Sequence, residues 1–301
     1  MLTRISDLGE RVKSRNSRKK LVLAAAQDLY ALMAVRDAAA AGLITPVLVG
    51  DRPDIVKKAA SIGFNLDSVE ILHEENLDLA VEKAVRLIHD GYAQILMKGS
   101  CGTAQLLKGV LNKEWGLRKG DLLSHFALFE IAAYHKLLAV TDVAINIAPD
   151  VKAKEAILNN SVEYLNNMGL AKPKVAVIAA VEKVFDQMPA TVDAAILVRR
   201  NREGLIQNCI VDGPMALDNA ISLESAEHKG IVSEVAGDAD LLLMPDIEAG
   251  NVFYKTLAFL TDARVASVVL GASAPVVLTS RSDSEDAKYN SLLLATAIDI
   301  V

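Results

Sequence analysis

Pro275-Val276-Val277-Leu278-Thr279-Ser280-Arg281-Ser282-Asp283 leads into a segment, 285–298, with the apolar spacing of a helix. An aliphatic run that ends on hydroxyls, a guanidinium and a carboxylate reads as a strand delivering its carboxyl end to a helix. In an open α/β sheet, that edge is where ligands bind. A helix N-terminus offers backbone N–H groups to anions, and Arg281 adds a planar fork that suits phosphate. The same residues also read as a Ser or Asp helix cap beside a solvated arginine.

Upstream, short Val/Leu/Ile runs alternate with longer segments of period 3.6, which is the pattern of βαβ units around a parallel sheet. Strands are expected over 20–25, 45–49, 69–72 and 94–97. Helices are expected over 28–41, with Gly42 as its stop, 53–62, 77–90 and 103–111. The texture then changes. Strands over 122–130 and 137–147 are separated by few residues, so the sheet stops being purely parallel, and a domain boundary falls near 122. Further on, helices are expected over 150–168, 190–199 and 249–260, and strands over 175–180, 241–244 and 265–270. Asp212-Gly213-Pro214 reads as a turn that opens a short helix.

Of the 301 residues, 52% are hydrophobic and only 4% aromatic, so the core must be built from Ala, Val, Leu and Ile, as under buried parallel strands. A net charge of −6 with no basic block argues against a nucleic-acid partner. No apolar stretch is long enough to span a membrane, and early charges at Arg4, Asp7, Glu10 and Arg11 leave no signal-peptide core. Cys101 and Cys209 form neither a disulfide framework nor a metal spacing, and Cys101 reads as a packing residue. A cytoplasmic location is the resulting expectation.

Four places bring chemistry-bearing residues to expected strand ends or turns. Lys98-Gly99-Ser100 closes the strand over 94–97, where a lysine reaches a phosphate while glycine lets backbone approach. Lys108 follows on the next helix, on what also reads as a solvated face. Asp218 and Asn219 open the short helix as ligands or caps, and His228-Lys229 stand beside a turn. Asp246, Glu248 and Asn251 follow the strand over 241–244 at another ligand edge. Asp246 and Glu248 have no third partner in the sequence for a metal. The fingerprints of dinucleotide-binding, P-loop and nucleophile-elbow sites are absent.

Several strings together resemble the phosphate acetyl/butyryltransferase family, and its butyryl branch most. They are Leu96-Met97-Lys98-Gly99, Ser124-His125, Asp212-Gly213-Pro214 with Ala216 to Ala220, His228-Lys229-Gly230, Ala239 to Asn251, Tyr254-Lys255-x-Leu257 and Pro275 to Arg281. The resemblance runs from about residue 20 to the C-terminus. It implies two α/β domains of the isocitrate/isopropylmalate-dehydrogenase type, three-layer αβα, with the active site in the interdomain cleft. The first domain would be 1–122 with 276–301, and the second, 123–275, an insertion.

The resemblance also implies the reaction: a short acyl group passes reversibly between coenzyme A and inorganic phosphate, with no bound cofactor and no metal. Arg281 would bind phosphate and Ser280 stabilise the reacting carbonyl, with Lys98, Gly99, Ser100, Lys108, Asp246, Asn251 and His228 binding substrate. A homodimer or a larger homo-oligomer is implied as well. The family's acetyl branch carries an aspartate seven residues after the serine, where this chain has Ala287. It carries an arginine where Lys108 stands. Asp283 is then the candidate to orient Arg281 or the thiol, or to cap the helix, with His228 as a further base to try. The alternatives are an acetyl-specific transferase, a nicotinamide-dependent dehydrogenase of the same fold and a non-catalytic binding module.

Overall fold

A computed structural model describes residues 3–13, 18–280 and 283–298. The chain divides into two compact α/β units, one from Ile5–Asp121 with Ala266–Val301 and the other centred on Leu122–Val265. The first, the terminal unit, opens with α1 (Ser6–Lys13), β1 (Lys19–Ala24), α2 (Leu29–Ala40), β2 (Ile44–Gly50) and α3 (Arg52–Ser61). It continues with β3 (Glu70–His73), α4 (Leu77–His89), β4 (Ile95–Lys98) and α5 (Thr103–Val110). The inserted unit contains β5 (Ser124–Glu130), β6 (Leu138–Thr141), α6 (Val151–Asn167), β7 (Lys174–Ile178), α7 (Pro189–Arg202) and β8 (Ile210–Met215). It adds α8 (Leu217–Ile221), α9 (Leu223–His228), β9 (Leu241–Leu243) and α10 (Ile247–Leu260). Then come β10 (Arg264–Leu270), β11 (Val276–Val277) and α11 (Glu285–Thr296).

In the terminal unit the strands run in the order β3-β2-β1-β4-β11-β10. The pairs are parallel except β10 with β11, where Val269 lies opposite Val276. In the inserted unit the order is β5-β6-β9-β7-β8. There β5 and β6 are antiparallel and the other pairs parallel, as the short link between the expected strands requires. The core is aliphatic: Leu21 to Ala24, Val47 to Val49 and Ile95 to Met97 are fully or almost fully buried. Helix α4 shows why periodicity located the helices well. Its buried residues Ala80, Val81, Ala84, Val85 and Ile88 form one stripe, and Asn76 caps it by accepting from Asp78 and Leu79 N–H.

Four elements differ from the sequence reading. Strand β6 stops at Thr141 because the Asp142 carboxylate accepts the N–H groups of Ala144, Ile145 and Asn146 at 2.9, 3.0 and 3.3 Å and turns the chain. Asp212-Gly213-Pro214 is not a turn: β8 runs through it to Met215, with a register shift against β7 between Ala176 and Ile178. Strand β11 keeps only two residues of the expected run. The N-cap of α11 is Ser284, whose Oγ accepts from Ala287 N–H at 3.1 Å, and not Asp283. Helices α1 and α9 had no expectation; Ser222 separates α9 from α8 by capping it. No helix among the described residues is long and apolar enough to cross a membrane.

Candidate functional site

Strands β1, β4 and β11 end side by side in the terminal unit, with Ala24 opposite Lys98 and Val277 opposite Met97. From β1 the chain leads through α2 to β2 on one flank, while β4 lies on the other. Connections that diverge between neighbouring parallel strands open a crevice beyond their carboxyl ends.

The loop after β4 folds over the end of β1. Gly99 N–H donates to the Ala24 carbonyl at 2.8 Å and Ser100 N–H to that of Ala25 at 2.7 Å. A Cβ on Gly99 would lie 2.7 Å from the Ala24 oxygen and nearer still to the Ala25 oxygen, so only glycine allows this approach. Lys98 turns inward and is 7% exposed; its Nζ donates to the Gly99 and Cys101 carbonyls at 3.1 and 3.3 Å. Ser100 is exposed at the rim. Cys101 is buried as a packing residue, and burial pushes its thiol up, against the pull of the Lys98 charge.

Beyond β11, Thr279 is buried and Ser280 exposed. Asp283 Oδ2 accepts Ser280 N–H at 2.6 Å, and Asp283 N–H donates to the Ser280 carbonyl at 3.3 Å. Lys288, on the first turn of α11, is 4% exposed; its Nζ donates to the Ser280 carbonyl at 3.1 Å and the Asp283 carbonyl at 2.6 Å. Burial holds Lys288 below the usual lysine value; Asp283 and Asp28 oppose that shift, while the like charge of Lys98 adds to it. The Tyr30 ring centroid lies 5.9 Å from Lys288 Nζ, and Asp28 caps α2 by accepting Ala31 N–H at 2.9 Å. Asp28, Tyr30, Ala31, Lys98, Thr279, Ser280 and Lys288 line a cavity of about 220 Å³.

Of the residues expected at the site, Lys98, Gly99, Ser280 and Asp283 gather here, and Ser100 adjoins them. Arg281 lies outside the described residues. Lys108 is exposed on the last turn of α5 and does not line the cavity. Asp246, Asn251 and His228 belong to the inserted unit. Asp246 caps α10 by accepting Ala249 N–H at 2.8 Å, and Asn251 Nδ2 donates to the Val143 carbonyl at 3.0 Å, so both anchor that helix. His228 is exposed at the end of α9. Neither Asp218 nor Asn219 caps α8. Asp218 pairs with Lys229 at 3.0 Å, and Asn219 Nδ2 donates to Glu182, which also pairs with Lys229. Among the described residues no three His, Cys, Asp or Glu side chains group as metal ligands. Sequence reasoning missed Lys288; its one signal was a lone cation in the helix that follows Thr279-Ser280.

Comparison with known proteins bears on this site. The chain matches the profile of a family described as "Phosphate acetyl/butaryl transferase" over residues 5–82 and 73–296. It is 48% identical to a phosphate butyryltransferase of Clostridium acetobutylicum, over 99% of each chain. It is 41% identical to a phosphate acetyltransferase of Thermotoga maritima, over 94% of this chain and 96% of the relative. Among solved structures, a branched-chain phosphotransacylase from Enterococcus faecalis superposes with a TM-score of 0.84 at 32% identity, covering 93% of this chain and 98% of that one. A 4-hydroxythreonine-4-phosphate dehydrogenase from Klebsiella pneumoniae superposes with a TM-score of 0.61 at 11% identity over 93% of this chain and all of that one, a likeness of fold alone.

Proposed function

The chain belongs to the phosphate acetyl/butaryl transferase family, and from that premise we propose that it moves a butyryl group reversibly between coenzyme A and inorganic phosphate. The observation that carries this reading is the buried ammonium of Lys98 beside Thr279 and Ser280 on one cavity at the strand ends. A phosphate oxygen attacks the thioester carbonyl carbon, the carbonyl oxygen takes up the negative charge, and the carbon–sulfur bond breaks to release the CoA thiolate. In reverse, the thiolate attacks the acyl phosphate and phosphate departs. The thioester is a substrate, and the reaction calls for no bound cofactor. A thiol of pKa about 8.5 is partly ionised at neutral pH, so catalysis rests on positioning and on neutralising the phosphate.

In this proposal Lys98 and Arg281 neutralise phosphate, and Gly99 lets the backbone approach it with Ser100 at the rim. Ser280 stabilises the oxyanion, and Lys108 meets the anionic groups of CoA. Asp246 and Asn251 act through the placement of α10, and His228 is the proton acceptor to test. Likeness to the butyryltransferase supports four-carbon use; likeness to the acetyltransferase keeps acetyl-CoA as the second reading. A homo-oligomer completes the proposal. In its support, α10 buries only Gly250 and Tyr254 and leaves Val252, Phe259 and Leu260 66%, 58% and 80% exposed. Apolar surface of this kind is commonly covered by an identical subunit. The test is phosphate-dependent thiol release from butyryl-CoA with stoichiometric acyl phosphate; release that ignores phosphate refutes the transferase reading.

A further inference from the structure

Lys98 and Lys288 are two buried ammonium groups held in the same manner. Each donates to two backbone carbonyls, Lys98 to Gly99 and Cys101, Lys288 to Ser280 and Asp283. An ammonium has three donors, so each lysine retains one. Among the described residues neither forms an ion pair with a carboxylate. Asp28 already accepts Ala31 N–H, and Asp283 accepts Ser280 N–H. Both lysines line the same cavity of about 220 Å³. Burying an ammonium with no carboxylate in direct contact is costly; Asp283 and Asp28 offset part of the Lys288 charge from a distance, but two like charges on one cavity raise the cost again. An anion in the cavity relieves both.

We propose that Lys288 is a phosphate-binding residue, which with Lys98 forms a two-ammonium seat for the tetrahedral dianion at the ends of β4 and β11. Its part in turnover rests on the transferase reading; the seat itself does not. Lys288 is fixed to the backbone carbonyls of Ser280 and Asp283, so its ammonium is pre-placed and little ordering is needed when phosphate arrives. A lysine at this position acts as a point charge, which suits a dianion that must turn as it becomes nucleophile or leaving group.

The test uses the full chain with Lys288→Met, which keeps the stem and removes the charge. Two readouts are taken: the rise in melting temperature on titrating inorganic phosphate without acyl-CoA, and the KM values for phosphate and butyryl-CoA. The seat predicts that the phosphate-dependent rise largely disappears. It also predicts a phosphate KM up by about tenfold or more, with the butyryl-CoA KM within about twofold of wild type. Wild-type phosphate stabilisation and phosphate KM in Lys288→Met overturn the proposal. So does an equal loss across both substrates with a lowered melting temperature in phosphate-free buffer, which marks a structural tie to Ser280 and Asp283 only. If Lys288→Met does not fold, Lys288→Gln retains one hydrogen-bond donor without charge and is held to the same two outcomes. A wild-type protein that turns over no acyl-CoA, yet gains Lys288-dependent stability from phosphate, ends the transferase reading and leaves the seat standing.

Discussion

Asp283 Oδ2 accepts the backbone N–H of Ser280 at 2.6 Å, and the Asp283 N–H returns a bond to the Ser280 carbonyl at 3.3 Å. The carboxylate therefore ties Asp283 to Ser280, while Ser284 caps α11. Of the roles its place in the sequence suggests, orienting its neighbours or capping the helix, the cap belongs to Ser284, and Asp283 bonds the backbone of Ser280. Asp283→Asn keeps an acceptor oxygen and is expected to lower turnover mildly. If Arg281 binds phosphate as proposed, Arg281→Ala is expected to cost about 2–4 kcal/mol in transition-state binding. Steady-state kinetics with varied phosphate check the order; an Asp283→Asn loss as large as that of Arg281→Ala contradicts it.

Gly99 is the tightest backbone approach at the site. Gly99→Ala forces a methyl group against the Ala24 and Ala25 carbonyls. Overpacking of this kind costs about 1–3 kcal/mol. A melting temperature lower by several degrees is expected, together with weaker phosphate use, because the loop that carries Lys98 must move. Unchanged melting and kinetics would show that the loop relaxes without disturbing Lys98.

Much of the terminal unit was legible because its helices bury regular stripes and its strands are short aliphatic runs. The site was legible in part for the same reason. Lys98-Gly99 and Thr279-Ser280 end such runs, and neighbouring parallel strands bring their ends together. What the sequence did not disclose is which of several permitted contacts a residue makes. The bonds from Ala144, Ile145 and Asn146 N–H to Asp142 that end β6 are local, yet an aspartate inside an aliphatic run fits a strand as well as such a turn. Asp212-Gly213-Pro214 has turn composition, yet Gly213 packs against Val177, its would-be Cβ 2.8 Å from the Val177 carbonyl oxygen, inside a ladder that overrides local preference. For Asp246 and Asn251 the sequence does not separate ligand binding from helix anchoring, because polar residues at a strand end serve both equally well. Lys288 escaped because a lysine on a helix is usually solvated, and only the fold buries it.

The ion pairs of Asp238 predict a pH dependence for the inserted unit. Asp238 pairs with Lys174 at 2.6 Å and with Lys136 and His135 at 2.8 Å. Burial alone raises its pKa, but Lys136, Lys174 and His135 outweigh that and hold the carboxyl well below the usual carboxylate range. The folded pKa lies below the unfolded value of about 3.9, so the stabilisation is present above that value and is lost as pH falls toward the folded pKa. Asp238→Asn is expected to flatten the acid limb of the stability profile below about pH 4. Denaturant midpoints across that window check it; equal acid slopes in both proteins contradict it.

The exposed face of α10 sets the assembly test. The chain has a mean hydropathy of +0.29, and Val252, Phe259 and Leu260 stand in the open. Light scattering is expected to report a dimer or larger assembly, and Phe259→Glu with Leu260→Glu to shift it toward the protomer mass of 32.2 kDa. A wild-type protomer that remains single at working concentration refutes this.

The proposed reaction is the transfer of a short acyl chain between CoA and phosphate, with the four-carbon chain preferred. It is tested most directly by phosphate-dependent thiol release measured side by side with butyryl-CoA and acetyl-CoA. The expected result is a higher kcat/KM for butyryl-CoA with activity on neighbouring chain lengths, since one or two methylenes discriminate by only about 1–3 kcal/mol. A preference for acetyl-CoA of about tenfold, or about 1.4 kcal/mol, contradicts the butyryl assignment, and no phosphate-dependent release from either thioester contradicts the transferase itself.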